Sequence, residues 1–240
     1  MFLTDEEKSM LDGDMGYPIQ KSMQILVTLG ESFGAERMLE INNVHMPGAS
    51  IVVAGEAGTK FVESMYDKGG KFCAFTTTNP GAIDVEKWEE LGIGEEDAAV
   101  QKRLTIAYEK MGAVTCATCT PYFLGNNPRK GEHVAWGESS AIAFVNSVMG
   151  ARTNREGGPS ALAAALTGRV PAYGLHLDEN RFGKIHIKVD TILNDTTDYG
   201  TLGYYVGSRV KQDIPVFEGI PKNVSNDELK GLGAALASSG

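Results

Sequence analysis

The stretch GGKFCAFTTTNPG, residues 69–81, decides the fold class. Its glycine pair ends a helix marked by Phe61 and Met65, because glycine is the usual residue just past a helix. Residues 71–77 then predict a short strand, and Thr78-Asn79-Pro80-Gly81 has the composition of a turn. A helix, a strand and a turn therefore follow one another closely at this point of the chain.

The same alternation continues in both directions from this stretch. Thr4 and Glu7 form a capping box for a first helix, and Pro18 opens a second helix with one apolar face. The later predicted elements are a helix through Val100, Leu104 and Met111, a strand at 113–116, helices at 138–149 and 159–166, strands near Val170 and at 184–190, and a last helix capped by Ser225 and Glu228. Strands that alternate with helices predict an α/β architecture.

The composition narrows the range of partners. The chain has 240 residues and a net charge of −9, and this acidic balance disfavours nucleic acid because phosphate binding needs a basic surface. No apolar run is long enough to span a bilayer, and residues 1–14 lack the basic-then-apolar layout of a signal peptide. We expect a cytoplasmic protein with no nucleic-acid and no membrane partner.

Three cysteines, Cys73, Cys116 and Cys119, are too few for a disulfide framework, so reduced thiols are expected. Cys116 and Cys119 have the CxxC spacing of metal and redox pairs, although a single such pair also occurs without any ligand role. Cys73 lies in the predicted apolar strand, and we expect it to be an inert core thiol.

The polar residues with chemical potential are densest between Thr118 and Arg155. Glu138 and Ser139 precede an apolar helix, where free backbone N–H groups attract anions, but Glu138 is equally suited to capping that helix. Arg152 and Arg155 precede a glycine pair, and their guanidinium groups match carboxylate or phosphate. The alternative is that both are surface residues in a turn.

A second candidate is the loop from His45 to Ser50. The small residues Gly48, Ala49 and Ser50 are suited to exposing backbone amides to an anion, although an ordinary turn explains them as well. His45 and His133 are candidate acids, bases or ligands, but a single histidine more often has a structural role.

Read together, these segments resemble the large subunit of aconitase X, a branch of the aconitase superfamily. The matching segments are HMPGAS at 45–50, TTTNP at 76–80, CTPY at 119–122, GEHVAWGESS at 131–140 and NSVMGARTNREGGP at 146–159. The match is collinear over the whole chain. It implies an aconitase-like layered α/β fold, with residues 1–240 as the N-terminal part of the large-subunit catalytic region. Since the family's large subunit continues further, we expect a truncated chain.

The resemblance implies a hydro-lyase that eliminates water from a hydroxy acid. One branch of the family converts mevalonate 5-phosphate to trans-anhydromevalonate 5-phosphate in the archaeal-type mevalonate pathway of isoprenoid biosynthesis. The other branch acts on cis-3-hydroxy-L-proline. Residues 178–181 and 198–204 look closer to the first branch, which we therefore favour. A non-catalytic binding or assembly fragment is the third possibility.

The resemblance also assigns residues to roles. It implies that Cys119 is a ligand of an iron–sulfur cluster, expected to be of the 4Fe–4S type, and that the remaining matched positions line the substrate site: Gly48, Ala49, Ser50, Asn79, Pro80, Glu138 and Ser139. Arg152 and Arg155 are added as anion-binding residues on the basis of their charge. A small swivelling subunit and a small anionic substrate are the implied partners. The cluster would be incomplete in this chain, which we expect to be inactive alone, and no catalytic base is predicted.

Overall fold

The computed structural model describes residues 1–240. Its helices are α1 (Asp5–Asp12), α2 (Tyr17–Ser32), α3 (Ile51–Asp67), α4 (Glu95–Met111), α5 (Ser139–Phe144), α6 (Gly158–Thr167), α7 (Thr196–Val210) and α8 (Asn226–Ser239). Its strands are β1 (Met38–Glu40), β2 (Asn43–Met46), β3 (Phe75–Thr78), β4 (Ala135–Trp136), β5 (Arg169–Pro171), β6 (Ile185–Lys188) and β7 (Pro215–Glu218). This alternation confirms the predicted α/β class.

The central sheet is parallel and has the strand order β3-β2-β4. Val44 of β2 pairs with Thr76 on one side and with Ala135 on the other. Val114 adds an isolated parallel bridge to Thr77, so a fourth segment runs in the same direction. The carboxyl ends of all these segments therefore lie at one edge of the sheet.

Helices cover this sheet and form the main core with it. Val44 and Met46 of β2 and Ala135 of β4 are fully buried and pack with residues of α3, α4 and α6. Every residue of α6 from Ala161 to Thr167 is buried. Burial on both faces is usual for parallel sheets, which explains why these strands show no alternation of apolar and polar residues.

Two smaller sheets complete the fold: β1 pairs antiparallel with β5, and β6 pairs parallel with β7. Half-buried Ile185 and Ile187 alternate with exposed His186 and Lys188 in β6, which confirms the alternation predicted for 184–190. No helix combines the length and the apolar character needed to cross a bilayer.

The predicted strand at 71–77 is wrong in its first half, because the strand begins only at Phe75. The N–H of Phe72 donates to Met111 O and the N–H of Cys73 donates to Ala165 O, at the ends of α4 and α6. Cys73 is therefore exposed on irregular chain, and its prediction as a core thiol is also wrong. Composition could not show that two helix ends would take these N–H groups.

The other local predictions are confirmed at the helix starts and only in part at the strand predicted for 113–116. The capping boxes at Thr4 and Ser225 form as expected. The helix predicted at 138–149 is α5 followed by a π-helical segment, Val145–Met149. The strand predicted at 113–116 is reduced to the single bridge at Val114.

Candidate active site

Four loops meet beyond the carboxyl ends of the parallel segments. They are residues 47–50 after β2, 79–81 after β3, 116–119 after the Val114 bridge and 137–139 after β4, and we call them the carboxyl-edge site. Ligands of open α/β sheets bind outside the carboxyl ends of the strands. The fold thus brings Cys119 together with the seven residues that the resemblance assigned to the substrate site.

The loop after β2 presents unpaired backbone amides. The N–H groups of Gly48, Ala49 and Ser50 have no acceptor within the chain. Ser50 then caps α3, with its hydroxyl oxygen accepting from Val52 N at 3.3 Å. Successive free N–H groups of this kind form a concave anion-binding surface.

Gln101 of α4 ties this loop to the loop after β3. Its amide nitrogen donates to Ala49 O at 2.9 Å, and its amide oxygen accepts from Ile51 N at 3.1 Å and from Ala82 N at 3.2 Å. The side chain is almost fully buried. Sequence reasoning missed this residue, although a polar residue at helical spacing between Ala98 and Leu104 is a recognisable signal.

Glu138 is held firmly at the start of α5. Its carboxylate accepts from Ser140 N at 3.1 Å, Ala141 N at 2.9 Å and Ser140 Oγ at 2.6 Å. Glu138 therefore caps α5, which is the alternative that the sequence left open, and its carboxylate takes the N–H groups of Ser140 and Ala141. Ser139 Oγ also donates to the carboxylate, at 3.3 Å.

The backbone around Glu138 is shaped by close packing. A Cβ on Gly137 would lie 2.1 Å from Pro47 Cγ, so only glycine lets these two loops approach. Glu138 itself has a φ of +78°, in the left-handed region that side chains rarely adopt. Strained backbone of this kind clusters at functional sites.

Cys119 is exposed at this site, as a ligand residue requires. Burial of the sulfur and the negative charge of Glu138 raise the pKa of the Cys119 thiol. Cys116 lies deeper, and its Sγ donates to Thr78 O at 3.5 Å. The chain contains no group of three or more His, Cys, Asp or Glu residues arranged to hold a metal ion.

His45 lies directly beneath the site and is fully buried. Burial lowers the pKa of its imidazole to about 4, while Asn79 and Glu138 act in the opposite direction. The ring is therefore neutral near pH 7, with Nδ1 at 2.9 Å from Thr77 Oγ1. His45 lies near the end of the central strand, between two site loops. This position supports a functional role for His45 more strongly than the sequence alone does.

The structure separates Arg152 from the carboxyl-edge site. The Arg152 guanidinium donates to His176 O and forms an ion pair with Asp178. It lines a cavity of about 440 Å³ that also contains Arg37 and His133. Because His133 precedes β4, this cavity lies at the amino edge of the sheet.

Arg155 is exposed and forms no ion pair. It lines an open groove of about 890 Å³ between α2 and the start of α6. Residues three apart on extended chain point to opposite sides, which explains why the two arginines diverge.

Glu156 lines the same groove and was not singled out from the sequence. It is 4% exposed and its Oε1 has no hydrogen-bond partner. Burial raises the pKa of this carboxyl. Its backbone N–H donates to Trp136 O, so the groove adjoins the carboxyl end of β4.

These features define an α/β domain in which an amide-lined loop, an exposed thiol and a fixed carboxylate converge at the carboxyl edge of a parallel sheet. The chain belongs to the aconitase X family. The family model for the aconitase X first domain matches residues 1–179, and the model for the second domain matches residues 183–240.

Individual relatives agree with this assignment. The chain is 46% identical over 240 residues to the phosphomevalonate dehydratase large subunit of Methanothermobacter thermautotrophicus, covering 100% of this chain and 60% of that protein. It is 36% identical over 239 residues to the cis-3-hydroxy-L-proline dehydratase of Hypocrea jecorina, covering 98% and 40%. The crystal structure of Thermococcus kodakaraensis aconitase X in its holo-form superposes with a TM-score of 0.90 at 43% identity, covering 100% and 60%. This chain thus spans about 60% of the length of the phosphomevalonate dehydratase subunit, and the predicted family and fold are confirmed.

Proposed function

We propose that this chain forms part of the large subunit of a hydro-lyase that eliminates water from mevalonate 5-phosphate to give trans-anhydromevalonate 5-phosphate. The observation that carries the proposal is the convergence of the Gly48–Ser50 amides, Asn79-Pro80, Cys119 and Glu138-Ser139 at one edge of the sheet. The higher identity to the phosphomevalonate subunit, 46% against 36%, supports this substrate over cis-3-hydroxy-L-proline.

The residues of the site suit an anionic hydroxy acid. Elimination of water requires removal of a proton next to the carboxylate and stabilisation of the charge that develops there. The free amides of Gly48, Ala49 and Ser50 and the Asn79 amide are suitable donors for one anionic group. Arg155, exposed and without an ion pair, is suited to a second anionic group such as a phosphate.

The thiols of this chain fit one ligand position of an iron–sulfur cluster, and not a complete set. Such clusters are held by thiolates, usually three or four. Cys119 is exposed at the carboxyl-edge site, whereas Cys73 precedes β3 and its Sγ donates to Leu166 O at 3.4 Å. We therefore propose Cys119 as one ligand. A cluster bound there would supply Lewis-acid chemistry to the leaving hydroxyl, and we propose that its further ligands and a small swivelling subunit come from outside this chain.

The test is a comparison of the two substrates on the assembled enzyme. The complete large subunit is reconstituted anaerobically with iron, sulfide and the small subunit, and product is quantified from mevalonate 5-phosphate and from cis-3-hydroxy-L-proline in parallel. We expect turnover of the first substrate only. Turnover restricted to cis-3-hydroxy-L-proline would reassign the substrate. Inactivity of the loaded enzyme on both would favour a non-catalytic assembly role.

A further inference from the structure

A continuous chain of side-chain hydrogen bonds runs beneath the carboxyl-edge site. Trp136 Nε1 donates to Asn43 Oδ1 at 2.7 Å, and Asn43 Nδ2 donates to Asn126 Oδ1. Asn126 Nδ2 donates to Thr77 Oγ1 at 2.8 Å, and Thr77 Oγ1 lies 2.9 Å from His45 Nδ1. We call these five residues the buried relay. All except the half-buried Asn43 are buried.

The direction of the relay follows from its first member. An indole N–H is a donor only, so it fixes the Asn43 oxygen toward Trp136 and the Asn43 NH₂ toward Asn126. Asn126 must then accept with its oxygen and donate with its nitrogen. The Thr77 oxygen accepts that bond, which leaves one hydroxyl proton to donate.

The Thr77 proton has two possible acceptors. Val44 O lies at 3.4 Å and His45 Nδ1 at 2.9 Å. The imidazole nitrogen is at normal hydrogen-bond distance, and the carbonyl is at the long limit. Thr77 therefore donates to His45 Nδ1, and a neutral His45 carries its single proton on Nε2.

The Nε2–H of His45 faces a suitable acceptor. His45 Nε2 and Asn79 Oδ1 are both buried, and neither forms a hydrogen bond of normal geometry. The Asn79 side chain and the Thr118 backbone are both close enough for hydrogen bonding to raise the pKa of His45, and the Asn79 oxygen is the buried side-chain acceptor that still lacks a donor. A small rotation that joins the two atoms would satisfy both, and a buried polar atom without a partner costs free energy.

The other end of the Asn79 amide is free. Asn79 Nδ2 donates to no group of the chain, yet it is not among the buried unpartnered atoms, so it is accessible from the site. We propose that the buried relay orients the Asn79 amide, with its oxygen held by His45 Nε2–H and its NH₂ turned outward as a donor to the anionic group of the substrate. Asn79 contacts the substrate, and His45 and Thr77 are positioning residues. The substrate contact rests on the proposed function, whereas the direction of the relay does not.

The first test measures the tautomer of His45 and needs no activity. Long-range ¹H–¹⁵N NMR spectra of the protein labelled with ¹⁵N-histidine distinguish an Nε2–H imidazole from an Nδ1–H imidazole, and a His45→Gln variant assigns the signal. We expect the Nε2–H form at pH 7. An Nδ1–H form or an imidazolium would overturn the proposal.

The second test breaks the relay at its hydroxyl. Thr77→Val removes the donor to His45 at nearly constant shape, and Thr77→Ser restores the hydroxyl. Thr76→Val is the matched control, because the buried Thr76 hydroxyl donates to Ala74 O at 2.9 Å and takes no part in the relay. We expect Thr77→Val alone to disturb the Nε2–H signal and to raise the KM of the assembled enzyme roughly 10-fold with kcat unchanged, as for loss of a hydrogen bond made equally in ground and transition states. Thr77→Ser should recover the wild-type signal and KM.

Combining Thr77→Val with Asn79→Ala shows whether Thr77 acts by positioning Asn79 or whether its loss damages the site in general. In an Asn79→Ala background, Thr77→Val should raise KM no further, because the group that it orients is gone. An undiminished effect in that background would overturn the proposal, as would an active Thr77→Val enzyme with wild-type KM. If the enzyme turns over neither substrate while the Nε2–H signal responds to Thr77→Val, the relay stands and the proposed function fails.

Discussion

The two edges of the central sheet carry similar residues that differ in how many of their polar groups are paired. At the amino edge, Arg152 and the two histidines are bonded to neighbouring groups, although His176 Nε2 has no partner. Arg152 is paired with Asp178, and His133 Nδ1 lies 3.0 Å from His176 Nδ1. At the carboxyl edge, His45 Nε2 and the Asn79 amide lack partners, and Cys119 is exposed.

This difference separates polar groups that stabilise the fold from polar groups that remain available to a ligand. A group whose hydrogen bonds are satisfied within the chain has little capacity left for a ligand. The paired Arg152 therefore stabilises the fold, although its charge makes it a candidate site residue in the sequence. The carboxyl edge keeps free donors and a thiol at the place where parallel strands end, which is where ligands bind in this class of sheet.

Loss of the Cys119 thiol should have the largest effect, because it tests the carboxyl edge as a cluster site. Cys119→Ser in the assembled enzyme should lower turnover at least about 100-fold, more than is usual for residues that only support metal ligands. Cys116→Ser is the matched control, and iron, sulfide and turnover are measured for both. Equal iron, sulfide and activity in the Cys119→Ser and wild-type enzymes would contradict the proposal that the carboxyl edge binds the cluster.

Acidification should destabilise both edges, since each contains a buried neutral histidine. Burial lowers the pKa of His45 to about 4 and that of His176 to about 3, below the unfolded value near 6.5. Between these values the unfolded chain binds more protons, so the free energy of unfolding falls as the pH decreases from about 6.5 to 4. We expect a loss on the order of 3 kcal/mol from His45, measured by urea unfolding across this range.

His45→Gln should flatten that pH dependence, and His186→Gln, at an exposed position, controls for the loss of one histidine. Parallel stability profiles for wild type and His45→Gln would show that the buried imidazole at the carboxyl edge does not titrate as proposed.

The close packing of the carboxyl edge can be tested with two glycines. Gly137→Ala places a Cβ against Pro47 and should cost about 1–3 kcal/mol, as overpacking does. Gly200→Ala is the control within helix α7, where a Cβ meets nothing within 4 Å. It should stabilise the chain by about 0.5–1 kcal/mol. The stability of both variants is measured by thermal unfolding. A Gly137→Ala protein as stable as wild type would show that these two loops are not tightly packed.

The two arginines provide the smallest and most direct contrast. Arg155→Ala should raise the KM for mevalonate 5-phosphate about 10-fold without changing stability, because its guanidinium has no partner in the chain. Arg152→Ala should instead lower stability by about 1 kcal/mol and leave KM unchanged, since Asp178 is exposed to water and only the bond to the His176 carbonyl is partly buried. KM and the free energy of unfolding are measured for both variants by steady-state kinetics and urea unfolding. A raised KM for Arg152→Ala with an unchanged KM for Arg155→Ala would contradict this assignment.

Local features of the fold were predictable where a few neighbouring residues determine them. The capping boxes at Thr4 and Ser225 need residues only three apart, and both form. The strand start at Phe75 was mispredicted because distant carbonyls bind the N–H groups of Phe72 and Cys73. Residue type and spacing made 48–50, 119 and 138–139 candidates, but only the collinear family resemblance assigned them, with 79–80, to one site.

The sequence by itself determined the α/β class, the family and the identity of most residues at the carboxyl edge, because short motifs in fixed order carry that information. Only the tertiary structure decided which groups remain free. It paired Arg152 with Asp178, placed Gln101 between two loops, and joined Asn43 to Trp136 across 93 residues of sequence. Such contacts depend on the register of parallel strands, which no local pattern specifies.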